Sequence, residues 1–385
     1  VHPNLAAGQS LALREGTGQP AVVDRDGAPL VTWTDDGTTA ADPAVAPQLV
    51  GAMGRFAGEQ GPVAGWYVAL VDAAGAELGI LYGTGPTPIP STLSVSVQKA
   101  AQTAVDSQDL PTMLVAIQPS TGDILAVAQN AAAGNSPIAL NGLFPPGSTF
   151  KIATAAAIVG ARTADVDTVV SCPGEALIGQ RTVHNNDGFA LGDVPLRTAF
   201  AESCNTTFAM QAAELPLDAL PRAADQLGLG ADFDIPGITT ETGGVPVAAN
   251  TTEQAENSYG QGKVEVSCFG LALTSATVSA GAAVTPRLWR DIPTTEVVGY
   301  TAPPAAVIRS LRTMMREVVR SGTADALAGH GTVFGKTGTA QVGDGNQAHG
   351  WFTGYRGDLA FATLVQYGSS SAPAVTVTGT FLGSL

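Results

Sequence analysis

The sequence predicts an α+β fold built on one antiparallel five-stranded sheet. Five apolar runs with β-branched residues are Thr112–Gln118, Asp123–Gln129, Thr332–Val342, His349–Tyr355 and Leu359–Tyr367. Turns at Ser120-Thr121-Gly122 and Arg356-Gly357-Asp358 join the first two runs and the last two runs into hairpins. The roughly two hundred residues between the two sets have a mostly helical pattern, so we expect a helical subdomain inserted into a sheet made from separated parts of the chain.

Individual elements follow from local patterns. Residues Ser94–Ser107 predict a helix, and the inserted helical subdomain, at about 150–325, includes a helix at Val307–Ser321. Thr332–Val342 alternates like an edge strand that lines a cleft. In the tail, Ala372–Leu385, the β-branched Val375–Thr378 favours a strand. Because a sheet of this kind needs a covering helix, we predict a helix there instead.

Residues 1–90 are irregular and rich in glycine, alanine and proline, and predict a smaller module ahead of a main domain at 91–385. Its expected elements are two short strands around the Asp26-Gly27 turn within Val22–Leu30, a helix at Ala46–Gln60 and a strand at Trp66–Asp72. The segment Gly83–Pro90 contains three prolines and two glycines, which is typical of a domain boundary.

Composition excludes several function classes. The chain has 385 residues, of which 45% are hydrophobic and 13% charged, as expected for a compact globular protein with a sizeable core. Its net charge of −15 argues against a nucleic-acid partner and against attraction to anionic lipid surfaces. No stretch is long and apolar enough to span a bilayer. Because the chain starts at Val1 without a signal-peptide pattern, we expect a mature or trimmed form from which any anchor has been removed.

The three cysteines, Cys172, Cys204 and Cys268, do not define a disulfide framework. A Cys172–Cys268 bridge could form in an oxidising compartment, but the simpler expectation is that all three are reduced or buried. Cys204 is expected to be a small buried residue rather than a second nucleophile.

Three short strings carry the chemistry: Ser148-Thr149-Phe150-Lys151, Ser203-Cys204-Asn205 and Lys336-Thr337-Gly338-Thr339. Each alone is weak. The chain has only four lysines, however, and two of them stand in these strings, the others being Lys99 and Lys263. We therefore interpret the three strings together as one site.

The first string offers a nucleophile and its base. A serine hydroxyl needs a neighbouring base to become nucleophilic. Ser148 follows the turn Pro145-Pro146-Gly147 and precedes the alanine-rich helical run Ile152–Val159, so it is expected at a helix N-terminus. Lys151 lies one helical turn later on the same face and would accept the proton of Ser148. To do so it must be uncharged, which requires burial or a second cation, for which Lys336 is the candidate.

The other strings supply what acyl transfer still lacks. Ser203 would relay a proton from Lys151 to the leaving amine, and Asn205 would hold the substrate amide. Lys336, Thr337 and Thr339 would face a substrate carboxylate, and Gly338 would let the substrate backbone approach closely. The backbone N–H groups of Ser148 and Thr339 are the expected oxyanion donors.

Other motifs fail on spacing. Gly335-Lys336-Thr337 resembles the end of a phosphate-binding loop, but His330 occupies the position where that motif requires its first glycine. Gly260-Gln261-Gly262 lacks the third glycine of a dinucleotide fingerprint. The four histidines, His2, His184, His330 and His349, have no metal-ligand spacing.

The three strings resemble, in order and spacing, the signature of penicillin-binding proteins and serine β-lactamases. The wider likeness, from about Leu93 to Tyr367, is to class B penicillin-binding proteins, with a composition like that of an actinobacterial penicillin-binding lipoprotein. It includes Ala116–Ala126, Phe144–Lys151, Ser258–Gly262, His349–Phe352 and, near the N-terminus, Asp24–Gly27. Ser267-Cys268 and Gln19-Pro20 depart from the family pattern, where Thr-Pro and Arg-Gly are usual.

The resemblance implies the penicillin-binding protein/serine β-lactamase-like transpeptidase fold, with residues 1–90 as the remnant of a non-catalytic pedestal. It implies a peptidoglycan D,D-transpeptidase that acts on stem peptides ending in D-Ala-D-Ala and is acylated by β-lactams, without metal or cofactor. Partners would be membrane glycosyltransferases and division or elongation proteins. The expected location is the extracytoplasmic face of the bacterial membrane, with anchoring by an N-terminal segment absent from this chain.

Three alternatives stay open. A D,D-carboxypeptidase would use water in place of the acceptor amine, and a β-lactam sensor or scaffold would bind without turnover. A class A β-lactamase would need a deacylating glutamate between the second and third strings. Glu214, Glu241, Glu253 and Glu256 lie there, but none has the sequence context of such a residue.

Overall fold

The computed structural model describes residues 5–60, 66–83, 87–343, 345 and 347–385. Its N-terminal elements are β1 (Ser10–Glu15), β2 (Pro20–Val23), β3 (Pro29–Thr34), β4 (Gly37–Ala40), α1 (Pro47–Gln60), β5 (Trp66–Val71), β6 (Glu77–Tyr82) and β7 (Ile89–Pro90). They form two sheets, in the orders β1-β5-β6 and β4-β3-β2-β7. The expected hairpin, helix and strand of this part are confirmed. The proposed boundary at Gly83–Pro90 falls partly outside the described residues, at 84–86.

The next elements lead into the inserted region. They are α2 (Val95–Asp106), β8 (Thr112–Ile117), β9 (Ile124–Gln129), α3 (Ile138–Asn141) and α4 (Lys151–Gly160). The insertion continues with β10 (Val169–Cys172), β11 (Glu175–Ile178), β12 (Arg181–His184), β13 (Gly192–Pro195), α5 (Leu196–Ala201), α6 (Asn205–Ala213), α7 (Ala219–Asp225), β14 (Asp232–Asp234), β15 (Gly243–Gly244), α8 (Thr251–Ser258), β16 (Glu265–Val266), α9 (Cys268–Ala280), β17 (Thr295–Val298) and α10 (Ala305–Ser321). The insertion is therefore less purely helical than expected, since four two-stranded ribbons accompany its helices.

The chain ends with β18 (Val333–Val342), β19 (Gln347–Arg356), β20 (Leu359–Val365) and α11 (Ala372–Gly383). The central sheet has the order β18-β19-β20-β8-β9 and is antiparallel throughout. Val365 pairs with Thr112, which joins the C-terminal strands to the earlier hairpin. The five-stranded sheet and the position of β18 at its edge are as predicted.

Helices cover both faces of this sheet. On one face, Thr353 of β19 donates a hydrogen bond to the carbonyl of Leu271 in α9, at 2.8 Å. On the other face, Thr363 of β20 contacts Thr378 of α11 through their hydroxyl oxygens, 2.9 Å apart. Thr353 pairs with Ala362, so the next residue, Thr363, points to the opposite face of the sheet. The sheet therefore lies between two layers of helices.

The sequence explains the two covering helices. Helix α9 is buried on almost every side, and its ends are marked by the Ser267 side chain, which accepts from Gly270 N at 2.8 Å, and by left-handed Gly281. In α11 the buried residues Ala374, Val377, Thr378 and Phe381 recur at helical spacing. This amphipathic burial outweighs the β-propensity of Val375–Thr378, and the predicted tail helix is confirmed. None of the described helices is long and apolar enough to cross a bilayer.

Candidate active site

The structure brings the three strings together in one cleft. Ser148 lies in a 3₁₀ turn, Gly147–Phe150, that runs directly into α4, whose first residue is Lys151. Ser203 follows α5, and Asn205 begins α6. Lys336–Thr339 lies on the edge strand β18. The fold therefore brings strings that are far apart in the sequence close together in space, as expected if they form one site.

Lys151 is the centre of the hydrogen-bond network. Its Nζ lies 2.8 Å from Ser148 Oγ, 2.8 Å from the Ser203 carbonyl oxygen, 2.6 Å from Asn205 Oδ1 and 3.3 Å from Ser203 Oγ. The carbonyl and amide oxygens can only accept hydrogen bonds. A neutral amine satisfies both of them with its two N–H groups and keeps its lone pair for the Ser148 hydroxyl. The geometry therefore fits an uncharged Lys151 that accepts the serine proton.

Electrostatics favour the same protonation state. Lys151 is fully buried, and burial lowers the pKa of its ammonium group well below the usual value. The positive charge of Lys336 lowers the pKa of Lys151 further. Burial also lowers the pKa of Lys336, to about 7, while the negative charge of Glu202 acts to raise it. Burial and the neighbouring cation thus both favour an uncharged Lys151.

Lys336 is not exposed in the cleft. Its Nζ donates to Ser203 Oγ at 2.9 Å and to the carbonyl of Thr337 at 3.1 Å, and the side chain is fully buried. Ser203 Oγ therefore lies between the two lysine amines. A hydroxyl in this position can pass a proton from one side to the other.

Asn205 is oriented by a second contact. Its Nδ2 donates to the carbonyl of His184 at 3.0 Å, which turns Oδ1 toward Lys151. Ser203, between the two helices, has a φ of 65°, the left-handed conformation that a residue with a side chain seldom adopts. Such strain persists where surrounding structure enforces it, commonly at functional sites.

The cleft itself has a volume of about 820 Å³. Ser148, Ser203, Asn205, Thr337 and Thr339 line it, whereas Lys151, Lys336 and Gly338 lie behind its wall. Of the sequence-predicted site residues, the structure thus places five on the cleft surface and three beneath it, all in one cluster.

Comparison with known proteins identifies the family of the chain. Residues 112–377, well over half of the chain, match the family model described as penicillin binding protein transpeptidase domain. The chain belongs to the penicillin-binding protein transpeptidase family, class B.

Two relatives and one solved structure locate the chain within the family. It is 28% identical to peptidoglycan D,D-transpeptidase PbpA of Mycolicibacterium smegmatis over 346 residues, 74% of this chain and 68% of that protein. It is 28% identical to PbpA of Mycobacterium tuberculosis over 198 residues, 44% of this chain and 40% of that protein. The match thus spans less than half the length of the latter. The imipenem acyl-enzyme complex of M. tuberculosis penicillin-binding protein A has a TM-score of 0.67 at 24% identity, covering 77% of this chain and 79% of that one.

One expectation about this class B protein was wrong. The sequence left a Cys172–Cys268 bridge possible and favoured three cysteines that are reduced or buried. All three are buried, but Cys172 and Cys204 form a disulfide and are not reduced. Cys172 ends β10 beside the start of α6, with a Cα–Cα distance of 6.2 Å to Cys204. Cys268 is free and buried under the sheet, with Sγ 3.1 Å from the carbonyl of Ala362. The 32-residue separation of the bonded pair did not reveal this contact.

Other residues of the transpeptidase cleft were also missed. Arg181, His184, Asp187 and Glu202 line it but belong to no string singled out in the sequence, and Tyr259 was noted only within the family segment Ser258–Gly262. Glu202 had a local signal, since it directly precedes Ser203. Arg181 and His184 lie on β12 and Asp187 follows it, in positions that depend on tertiary folding.

Gly338 packs against the turn that carries Ser148, whereas the sequence analysis expected it to face a substrate backbone. A Cβ atom there would lie 2.6 Å from the Pro146 carbonyl oxygen and 2.8 Å from Thr149 Cγ2. The residue therefore lets β18 approach the turn that carries Ser148, rather than leaving room for a substrate backbone. The indole N–H of Trp351 on β19 holds the same turn by donating to the Pro145 carbonyl at 3.0 Å.

Gly338→Ala is expected to lower both stability and acylation rate in this penicillin-binding protein, because the added methyl pushes β18 away from the Ser148 turn. Overpacking of this kind costs about 1–3 kcal/mol. Urea denaturation and penicillin labelling measure the two effects. Gly244→Ala is the matched control, since its Cβ would meet open space. Equal stability and rate in both variants would contradict this packing role.

Proposed function

We propose that the chain is a peptidoglycan D,D-transpeptidase that joins stem peptides through an acyl-Ser148 intermediate. The observation that carries the proposal is the 2.8 Å contact between Ser148 Oγ and Nζ of Lys151, whose side chain is fully buried. The relatives named D,D-transpeptidase and the imipenem acyl-enzyme of a similar fold support it.

In the proposed reaction, neutral Lys151 accepts the proton of Ser148 as Oγ attacks the carbonyl of the penultimate D-alanine. The backbone N–H groups of Ser148 and Thr339 would stabilise the oxyanion. Ser203 returns a proton to the leaving D-alanine amine, since its Oγ lies 3.3 Å from Lys151 Nζ. An amine of a neighbouring stem peptide then attacks the acyl-serine, forms the new amide and releases Ser148.

Substrate binding is assigned to the cleft wall. Thr337 and Thr339 would hold the terminal carboxylate, with the charge of Lys336 directly behind them. Asn205 would hold the donor amide. Gly338 acts in this scheme by bringing the strand to the nucleophile. A β-lactam would enter the same path as a donor whose leaving group stays attached, so its acyl-serine would hydrolyse slowly.

We assign residues 1–90 to a non-catalytic module and 91–385 to the transpeptidase domain. An extracytoplasmic location is supported by the Cys172–Cys204 disulfide, since disulfides persist in oxidising compartments. The N-terminal anchor and partners among glycosyltransferases and division or elongation proteins stay predictions from the resemblance.

The β-lactamase alternative receives no support from the cleft. Among the residues described as lining it, none of Glu214, Glu241, Glu253 and Glu256 occurs. Glu256 pairs with Arg181 at 2.9 Å, and Glu253 with Lys263 at 3.0 Å. No glutamate of this set is therefore placed to activate a deacylating water.

The test of transpeptidation uses a thioester analogue of the donor with a D-amino acid as acceptor. We expect the amide product of the D-amino acid, which increases with acceptor concentration at the expense of the hydrolysis product. Hydrolysis alone at every acceptor concentration would indicate a D,D-carboxypeptidase. Acylation of Ser148 without product release in either form would indicate a sensor.

The acylation rate should depend on pH through both lysines. Because Lys151 must be neutral, kcat/KM rises with pH as this lysine loses its proton. Because Lys336 must be charged, kcat/KM then falls as pH passes the Lys336 pKa of about 7. Because the two lysines interact, the apparent pKa values of the rising and falling parts of the pH profile belong to the pair rather than to either lysine alone. In Lys336→Arg the guanidinium stays charged, so the alkaline decrease should disappear. An unchanged alkaline limb in this variant would exclude Lys336 as its source.

A further inference from the structure

The Cys172–Cys204 disulfide lies directly beneath the middle motif of the site. Cys204 is the residue between Ser203 and Asn205, and it is the N-cap of α6. Both bridged cysteines are fully buried. The bond therefore connects the end of β10 to the segment that carries three groups in contact with Lys151.

A polar frame surrounds the bridge. Asn185 donates to the carbonyls of Pro173 at 2.9 Å and Phe189 at 2.8 Å, and its Oδ1 accepts from Thr206 N at 3.0 Å. Thr207 donates to the carbonyl of Ser171 at 2.7 Å. Residues on both sides of Cys172 are thus tied to Thr206 and Thr207, which follow Cys204, and the disulfide is the covalent part of this frame.

The segment held by the bridge needs support. Ser203 has a left-handed φ of 65°, and the N-cap of α6 makes no side-chain cap hydrogen bond. Yet the Ser203 carbonyl, Ser203 Oγ and Asn205 Oδ1 all converge on Lys151 Nζ within 3.3 Å. A small displacement of Cys204 would move all three groups together.

We propose that the Cys172–Cys204 disulfide is a positioning element that aligns Ser203 and Asn205 with Lys151, so that full acylation rate requires the oxidised bridge. The inference rests on the proposed function. Loss of the bridge is a thiol–disulfide exchange, in which a dithiol reductant gives two electrons and two protons to form two cysteine thiols and becomes a disulfide itself. In reverse, exchange with a disulfide oxidant, which takes up two electrons and two protons and becomes a dithiol, re-forms the bridge.

The test is active-site titration of the double variant Cys172→Ala/Cys204→Ala with a fluorescent penicillin. If the bridge positions Ser203 and Asn205, the labelled fraction should stay close to that of wild type. The acylation rate constant should fall at least about tenfold, because even a small misplacement of catalytic groups slows the reaction by this much. Cys268→Ala, which removes the free buried cysteine, is the matched control and should label at the wild-type rate. A lower labelled fraction with an unchanged rate constant would overturn the proposal, because it indicates a role in folding only.

Reduction of the wild-type chain gives an independent measurement that does not require the variant to fold. Thiols are counted by mass after alkylation in denaturant, with one expected before dithiothreitol treatment and three after it. We expect acylation to slow in the three-thiol form and recover on reoxidation. An unchanged rate with three thiols, or three thiols before reduction, would overturn the inference. A wild-type chain that no penicillin labels would overturn the proposed function itself, and the inference with it.

Discussion

Ser148→Ala is expected to abolish covalent labelling by penicillin. The variant removes the cleft hydroxyl that lies 2.8 Å from the Lys151 amine. Loss of the nucleophile in a serine enzyme lowers the rate by about a millionfold, which leaves no measurable acyl-enzyme. Fluorescent-penicillin labelling resolved by gel, with peptide mapping of the wild-type adduct, measures the effect.

The matched control for this variant is Ser279→Ala, at the end of α9, whose hydroxyl donates to the carbonyl of Gly357 outside the cleft. It should label like wild type. Labelling that survives in Ser148→Ala, or an adduct mapped to Ser203, would refute the assignment of Ser148. Because Ser203 Oγ lies between two lysine amines, it is the most informative alternative to examine.

Lys151→Ala is expected to lower the acylation rate by about 10²–10⁴-fold, the usual contribution of a positioned general base. Lys151→Arg should be equally slow, because a guanidinium cannot give up its proton to become a base. Stopped-flow or manual-quench labelling of folded protein measures both rates. Circular dichroism checks the fold, since the lysine is fully buried.

Lys263→Ala provides the control for lysine removal, because this side chain is exposed and pairs with Glu253 at the surface. It should acylate at the wild-type rate. If Lys151→Arg retained that rate, the site would need a positive charge at this position rather than a base, and the proton transfer would have to be assigned to another group.

Much of the fold could be predicted because its signals are local. The strands of the central sheet are short apolar runs with turn residues at their ends, and α10 shows the helical spacing of Val307, Leu311, Met314 and Val318. The tail shows the limit of this approach. Its β-branched residues point to a strand, and only the need to cover Phe361 on the sheet with Phe381 decides for a helix.

The site divides in the same way. Five site residues could be selected because each lies in a short string whose residue types and order are visible in the sequence: Ser148, Lys151, Ser203, Asn205 and Lys336. The partner of Cys204 could not, since it depends on where β10 ends in space. The same holds for Gly338, whose neighbour Pro146 is distant in sequence. Cleft residues such as Arg181 and Asp187 have no motif at all, and only folding places them there.

The central claim is that Lys151 is uncharged at neutral pH while it touches Ser148. The most direct measurement is an NMR titration of the chain labelled with ¹³C at lysine Cε, which is feasible because there are only four lysines to assign. Burial and the charge of Lys336 lower the pKa of Lys151 well below the usual value. The mechanism therefore predicts that the Lys151 signal, assigned by its loss in Lys151→Arg, is that of a neutral amine at pH 7. A Lys151 signal that stays charged up to pH 9 would contradict the mechanism.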